Sequence, residues 1–135
     1  MDRPRPALRC LPAILELEEQ GVVPLRVRLA EHFDASLSTI AANVQRLERD
    51  GYLVVRADRV IALTEDGLEC ATMLLRRYRL AEHFLSTIVG VASEDLGREA
   101  ERLASVISDE VDDALTELLK DPHVCPHGNA IPAAD

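Results

Sequence analysis

The sequence is poor in aromatic residues, with two tyrosines, two phenylalanines and no tryptophan among 135 residues. A hydrophobic core must therefore be built from leucine, valine, isoleucine and alanine. A chain rich in these residues and in glutamate and arginine is typically helical. The length fits one domain, or one small domain followed by a helical unit.

Other signals are missing as well. The chain has no apolar run of about 18 residues, which argues against a membrane-spanning helix. Its first ten residues lack the apolar stretch and cleavage site of a secretory signal. Its three cysteines are an odd number and widely spaced, which favours reduced thiols in a cytoplasm over a disulfide framework. The motifs of serine hydrolases, P-loop proteins, dinucleotide-binding enzymes and zinc proteases are absent, so an enzyme is not predicted.

Charge is distributed unevenly along the chain. The formal net charge of −9 argues by itself against a nucleic-acid partner. However, residues 91–135 carry three basic and eleven acidic side chains, a local charge of −8. Residues 22–60 carry six arginines and five acids, a local charge of +1. The excess acid thus lies in the C-terminal part, and arginines gathered on one surface of the N-terminal part can still bind DNA.

The N-terminal half predicts two short helices joined by a tight turn. A first helix, from near Leu11 to Gly21, precedes them. The pair covers residues 25–33 and about 36–50, and its second member stops at Gly51. That second helix has apolar residues at i, i+4 and i+7 on one face and polar residues elsewhere. The residues able to cap it are Asp34, Ser36 and Ser38.

Two short apolar runs follow, at residues 52–56 and 59–63, and they flank a turn. They predict a β-hairpin, the wing of a winged helix-turn-helix. The helices predicted after the wing are 65–89, 94–106 and 109–120, with caps at Thr64, Ser93 and Ser108. The fold is thus predicted to be mainly α with a small β-hairpin. Residues 1–66 form a winged helix-turn-helix DNA-binding domain, and residues 67–135 form an all-helical dimerisation domain.

The second helix of the pair is the candidate DNA reader, because its N-terminal half would meet base edges in a major groove. Arginines on both helices and on the wing, including Arg56, would contact phosphates. The candidate DNA-binding residues are Arg26, Arg28, Ser36, Ser38, Thr39, Ala42, Asn43, Arg46, Arg49 and Arg59. A winged helix can also be a protein-binding module, but the full order of elements favours DNA. Leftover apolar surface in the helical half favours a homodimer, which matches a palindromic operator.

Eight short strings spread over almost the whole chain form a recognisable set: Glu16-Leu17-Glu18-Glu19, Gly21-Val22-Val23-Pro24-Leu25-Arg26, Arg46-Leu47-Glu48-Arg49-Asp50-Gly51, Asp58-Arg59, Leu63-Thr64-Glu65-Asp66-Gly67, Arg79-Leu80-Ala81-Glu82, Ser108-Asp109-Glu110-Val111 and Gly128-Asn129-Ala130-Ile131-Pro132. Each string alone would be weak, but the set is specific. It resembles the diphtheria toxin repressor family of iron- and manganese-dependent transcriptional regulators.

The resemblance implies a repressor that binds a double-stranded DNA operator as a homodimer, with Fe²⁺ or Mn²⁺ as its cofactor. The chain ends just after the last string, so it looks like a two-domain member without an SH3-like third domain, or a shortened three-domain one. The phosphate contacts that the resemblance implies fall on Arg26, Thr39, Arg46, Arg49 and Arg59. The near-base positions fall on Ser36, Ser38 and Ala42, where the family often has Pro and Gln at the last two. Since Ala42 offers only a methyl group, a different operator is allowed.

The family's metal positions carry over badly. The primary site falls on Arg9, Glu101, Ala104 and Ser105, and the ancillary site falls on Tyr78, Glu82 and Gly97. Only Glu82 and Glu101 keep carboxylates, and they belong to different sites. Fe²⁺ and Mn²⁺ favour several N, O or S donors in a nearly octahedral arrangement, so the metal response is predicted to be lost or altered. A local slip near Pro12 would put Cys10 in the place of Arg9 and restore one ligand.

Arg9 suggests a replacement for the lost metal. A guanidinium–carboxylate pair between Arg9 and Glu101 would tie the N-terminal helix to the dimerisation domain, as metal does in the family. The alternative is that Arg9 is a solvated arginine at a frayed end. The pair therefore stands as a hypothesis about a metal-independent regulator.

The segment His123-Val124-Cys125-Pro126-His127 places two histidines and one cysteine within five residues. Zinc would need a fourth ligand, for which Asp121 or Asp135 is only weakly indicated. Because similar strings occur in the family as a plain turn, a turn is the favoured interpretation. The second function hypothesis is a metal- or ligand-sensing interaction protein that no longer binds DNA specifically.

Overall fold

The described residues, 6–134 of a computed structural model, begin with a 3₁₀ turn at Pro6–Arg9 that leads into α1, Cys10–Glu19. Pro12 lies in the first turn of α1, the part of a helix that tolerates proline best. The helix is followed by Gly21 with φ of +73°, a conformation that favours glycine. The predicted first helix is thus confirmed.

Helices α2, Arg26–Phe33, and α3, Leu37–Arg49, form the helix-turn-helix. Asp34 ends α2 with φ of +50°, which turns the chain sharply. Ser36 caps α3, because its side-chain oxygen accepts a hydrogen bond from the Thr39 N–H at 3.1 Å. Of the three predicted caps, Ser36 is therefore the one used.

The wing consists of two antiparallel strands, β1, Leu53–Val55, and β2, Ile61–Leu63. The N–H of Ile61 donates to the carbonyl of Pro24 at 2.9 Å, which ties the wing to the segment before α2. The N–H of Val55 donates to a carboxylate oxygen of Glu48 at 2.8 Å, which ties it to α3. The predicted winged helix-turn-helix is confirmed.

The core of this part is built mainly from Leu, Ile, Val and Ala, as the composition predicted, with Cys10 also buried in it and Phe33 and Tyr52 packed against it. Each fully buried Leu, Ile or Val contributes about 1.5–3 kcal/mol through the hydrophobic effect. Its largest buried side chains are Leu11, Ile14, Leu29, Ile40, Val44, Leu47, Leu53 and Ile61.

Helix α4, Glu65–Phe84, begins against the end of the winged helix. The Thr64 hydroxyl accepts a hydrogen bond from the Gly67 N–H at 3.1 Å and donates to the Gly51 carbonyl at 2.7 Å. A Cβ atom at position 67 would lie 1.7 Å from the carbonyl oxygen of Tyr52. Only glycine therefore fits at this point of α4.

The long helix predicted over residues 65–89 is confirmed in its extent and in its end at Gly90, but its last turn is not α-helical. It ends as an α-helix at Phe84 and continues as a π-helical turn, Leu85–Val89, which Gly90 closes with φ of +84°. The β-branched run Thr87-Ile88-Val89 is a poor α-helix former, which is consistent with the looser turn.

Two further helices complete the chain, α5, Ser93–Ala104, and α6, Asp109–Leu118. Ser108 caps α6, as predicted, by accepting from the Val111 N–H at 3.2 Å. The cap predicted at Ser93 is wrong, because Ser93 is already helical and Ala92 holds the cap position without a side-chain hydrogen bond.

The chain divides into two compact units, one up to Thr72 and the other from Met73. The boundary predicted at residue 66 stays a prediction. Within residues 6–134, no helix combines the length and apolar character that a membrane span requires.

Candidate functional site

The outer face of α3 is the candidate DNA-reading surface. The inner face is formed by the buried residues Ile40, Val44 and Leu47. At about 100° per residue, the face opposite them carries positions 38, 42, 45 and 49. The exposed side chains there are Ser38, Ala42, Gln45 and Arg49. Asn43, a predicted contact, is only half-exposed and lies nearer the inner face.

The predicted hydroxyl contacts meet at the start of α3. The Ser36 hydroxyl lies 2.8 Å from that of Thr39, to which it donates, and 3.2 Å from that of Ser38. It also accepts from the Thr39 N–H, so capping occupies it. These hydroxyls are therefore hydrogen-bonded to one another, whereas Ala42 exposes only a methyl group.

Arginines flank this face. Arg46 and Arg49 are exposed, and neither forms an ion pair with another residue of the described range. The Nε atom of Arg26, in the first turn of α2, is buried and has no hydrogen-bond acceptor among residues 6–134. A guanidinium at the start of a helix whose N-cap residue, Leu25, makes no side-chain hydrogen bond is placed to attract a phosphate group. Arg28, by contrast, pairs with Glu31 at 3.3 Å.

The two arginines of the wing differ. Arg56 forms an ion pair with Asp58 at 2.8 Å. The side-chain hydrogen bond from Arg56, together with the Val60 N–H, holds the pKa of Asp58 below its usual range. Arg59 is exposed and adopts φ of +69° in the turn. The wing therefore presents Arg59 more freely than Arg56.

The positions of the predicted primary metal site do not offer a ligand set. The guanidinium of Arg9 lies over the Phe33 ring, 4.7 Å from its centroid. Cys10 is buried in the aliphatic core, and this burial raises its pKa to about 11. Ala104 has no ligand atom, and the Ser105 hydroxyl donates to the Arg102 carbonyl at 2.7 Å. The Arg9–Glu101 pair, whose two members belong to different units, stays a prediction.

A different set of ligand atoms does converge in the second unit. A carboxylate oxygen of Glu82, the Sγ atom of Cys125 and a ring nitrogen of His127 all lie within 4.8 Å of one another. The Nδ1 atom of His127 is 2.6 Å from Oε2 of Glu82. Glu82 and Cys125 are buried, whereas His127 is exposed. We call these three residues the α4–loop cluster.

The loop that carries Cys125 and His127 is a tight turn. The Cys125 N–H donates to the Asn129 carbonyl at 2.9 Å, and the Gly128 N–H donates back to the Cys125 carbonyl at 2.9 Å. Arg79, one turn before Glu82 on α4, donates to the Ala130 carbonyl at 2.6 Å. Helix α4 therefore both supplies Glu82 and, through Arg79, holds the loop that carries Cys125 and His127 close to it.

A buried ionic network supports this arrangement. Arg76 donates to Asp112 at 2.9 and 3.1 Å and to the Pro132 carbonyl at 2.8 Å. Arg77 donates to the other oxygen of Asp112 at 3.2 Å. Burial alone would raise the pKa of Asp112, but the hydrogen bonds and charges of the two arginines outweigh it, so the pKa is lowered. The network therefore contains an ionised carboxylate.

Sequence reasoning treated the segment with Cys125 and His127 as a turn and Glu82 as a ligand left over from another site. The segment is indeed a turn, but it also brings two ligands to Glu82. The Cys-x-His spacing indicates two possible metal ligands. The sequence does not indicate that Glu82, far away in the chain on α4, lies beside them. His123 is exposed and is not part of the α4–loop cluster, and Glu101 stays a predicted ligand only.

Comparison with known proteins covers both units. A family model described as iron dependent repressor, N-terminal DNA binding domain, matches residues 9–61. A second, described as iron dependent repressor, metal binding and dimerisation domain, matches residues 64–133. The diphtheria toxin repressor of Corynebacterium diphtheriae is 45% identical over 125 residues, which are 93% of this chain and 55% of that protein. The chain thus spans about half the length of the curated relatives it matches.

Solved structures show the same likeness. A manganese-dependent transcriptional repressor in complex with manganese superposes with a TM-score of 0.87 and 30% identity, covering 96% of this chain and 59% of the other. ScaR with bound Zn²⁺ superposes with a TM-score of 0.77 and 29% identity, covering 96% and 60%.

Proposed function

Because the chain belongs to the iron-dependent repressor family, we propose that it binds a palindromic operator in double-stranded DNA as a homodimer, and that a transition metal at the α4–loop cluster regulates this binding. The observation that carries the DNA-binding part is the exposed face of α3, which Ser36 caps and which Arg46 and Arg49 flank without forming an ion pair within residues 6–134. A helix with this anchoring and charge is suited to a major groove.

Exposed apolar residues of the second unit support the homodimer. Val106 is 66% exposed, and Leu118 and Ile88 are each more than half exposed. Such side chains favour burial against a second copy, and a two-fold dimer would present two α3 helices to the two halves of a palindrome.

The proposed metal site is chosen by comparing the ligand atoms available at the two candidate positions. Arg9, Ala104 and Ser105 do not fit Fe²⁺ or Mn²⁺, so no role is assigned to a metal at the primary positions. The α4–loop cluster offers one oxygen, one sulfur and one nitrogen, which fit a thiolate-accepting metal such as Zn²⁺ with a fourth position open. A metal bound there would link α4 to the C-terminal loop and so stabilise the second unit.

The test is a selection from a random-duplex library with the full chain, repeated in chelator, Zn²⁺, Mn²⁺ and Fe²⁺. We expect one palindromic motif, bound more tightly with Zn²⁺ than in chelator. Metal uptake is measured in parallel by equilibrium dialysis. If no duplex binds above non-specific strength in any condition, the alternative of a metal-sensing interaction protein replaces the operator-binding proposal.

A further inference from the structure

The outer face of α3 carries one exposed carboxamide, a planar group that can donate one hydrogen bond and accept another side by side. Gln45 lies three residues after Ala42 and four before Arg49, and all three are exposed. Within the described residues, the Gln45 amide makes no side-chain hydrogen bond. It is therefore free to be used by a ligand that approaches this face.

The neighbours of Gln45 are less suited to reading a base edge. The hydroxyls of Ser36, Ser38 and Thr39 hold one another at the start of the helix. Ala42 can meet a thymine methyl but forms no hydrogen bond. Asn43, the other amide of α3, is partly buried towards the inner face.

We infer that Gln45 is a specificity-determining residue that reads an adenine in each half of the operator. This inference rests on the proposed DNA-binding function. A glutamine amide accepts from N6–H and donates to N7 of adenine, a pattern that no other base presents in the major groove. Neither Ala42 nor the engaged hydroxyls can supply this pair of bonds.

Gln45 lies in the C-terminal half of α3, so base reading would extend beyond the N-terminal half for which it was predicted. The position of Gln45 also sets where the adenine lies. Three residues advance about 4.5 Å along a helix axis, against roughly 3.4 Å between successive base pairs. The adenine is therefore expected about one base pair from the pair that faces Ala42. Arg46, the next residue, lies about 100° around the helix from Gln45, on the other flank of the outer face, and its guanidinium suits a phosphate.

The experiment compares random-duplex selection by the unaltered chain, by Gln45→Ala and by Gln20→Ala, a matched control at an exposed glutamine outside α3. We expect an adenine preference of about 5- to 150-fold at one position per half-site. Gln45→Ala should lose the preference at that position alone, and Gln20→Ala should keep it. The helix should tolerate the change, because Gln45 is exposed and alanine is a good helix former.

A second measurement does not depend on the variant. 7-Deazaadenine, which lacks the N7 acceptor, is placed at that position of the selected duplex. The unaltered chain should lose several-fold affinity, whereas Gln45→Ala should bind both duplexes equally. An unchanged motif with Gln45→Ala, or no effect of 7-deazaadenine, overturns this inference while the proposed function stands. A failure of the unaltered chain to select any motif overturns both.

Discussion

The Nδ1 atom of His127 lies 2.6 Å from the Oε2 atom of Glu82, although α5 and α6 separate the two residues in the chain. Cys125 completes the group on the same loop. A buried carboxylate beside an imidazole and a thiol is a set of donors held in advance of any metal. The affinity for Zn²⁺ should therefore depend on all three side chains.

The first prediction concerns this dependence. His127→Ala and Cys125→Ser should each weaken Zn²⁺ binding by at least about tenfold, because each removes one donor. Titration calorimetry measures the change. The control is His123→Ala, an exposed histidine of the same segment outside the α4–loop cluster. Equal losses with His123→Ala would show that the segment binds metal in another way.

The second prediction compares two helical glycines. Gly67→Ala should destabilise the protein by more than about 2 kcal/mol, since its Cβ would clash with the Tyr52 carbonyl. Gly97→Ala should be neutral or stabilise by up to about 1 kcal/mol, because its Cβ would meet only the Tyr78 hydroxyl, at 3.5 Å. Urea unfolding of both variants measures the difference, and a tolerated Gly67→Ala would contradict the close approach.

The third prediction concerns acid stability. The pKa of Asp112 in the folded protein is lowered from its usual value of 3.8. Its ionised form therefore contributes stability that is fully present above the usual pKa and is lost as the pH falls through the folded pKa. Asp112→Asn should cost about 2–4 kcal/mol at pH 7, because it leaves buried charge on Arg76 and Arg77.

The difference between the unaltered chain and Asp112→Asn should then shrink as the pH falls below the usual carboxyl range. Denaturant unfolding at a series of pH values from neutral into this range measures it. Asp113→Asn is the control, since Asp113 is exposed on the same helix. A difference that is constant with pH would argue that Asp112 acts by packing alone.

The fourth prediction concerns the salt dependence of DNA binding. Replacing Arg46 and Arg49 by alanine should weaken binding to every duplex and lower the slope of log K against log salt by about 0.9 for each lost phosphate contact. Fluorescence anisotropy at several salt concentrations measures this. The control replaces Arg98 and Arg102, exposed arginines that pair with acids on α5. If both double replacements lowered the salt slope equally, the overall charge of the protein, and not contacts from α3, would account for the salt dependence.

The fifth prediction tests the pair between Arg9 and Glu101. Glu101→Gln should lower operator affinity even in chelator, and adding Arg9→Gln should cause little further loss, because the two side chains act as one unit. Glu99→Gln is the control, since Glu99 pairs with Arg102. Affinity in chelator that is unchanged by Glu101→Gln, or additive losses, would exclude the pair.

Much of the fold could be predicted from local patterns. The spacing of Ile40, Val44 and Leu47 predicted α3, and the turn between two apolar runs predicted the wing. These features depend on neighbours in the chain. The π-helical turn after Phe84 could not be predicted, because it depends on which hydrogen bonds the tertiary structure leaves to Leu85.

The candidate site divides in the same way. The arginines and the exposed face of α3 follow from helical periodicity, so the sequence indicates them. The α4–loop cluster joins a helix to a distant loop, and no periodicity reports such a contact. The sequence identifies each possible ligand by its residue type. It does not show that the loop lies against α4, which depends on the hydrogen bond from Arg79 to the Ala130 carbonyl.

The hydrogen bonds from Arg76 and Arg79 end on main-chain oxygens, those of Pro132 and Ala130. Every amino acid carries the same carbonyl, so the side chains at these two positions are free to vary without loosening the loop. The arginines are not, because each supplies the guanidinium that makes the bond. Across natural variants, mutational tolerance should therefore be high at positions 130 and 132 and low at Arg76 and Arg79.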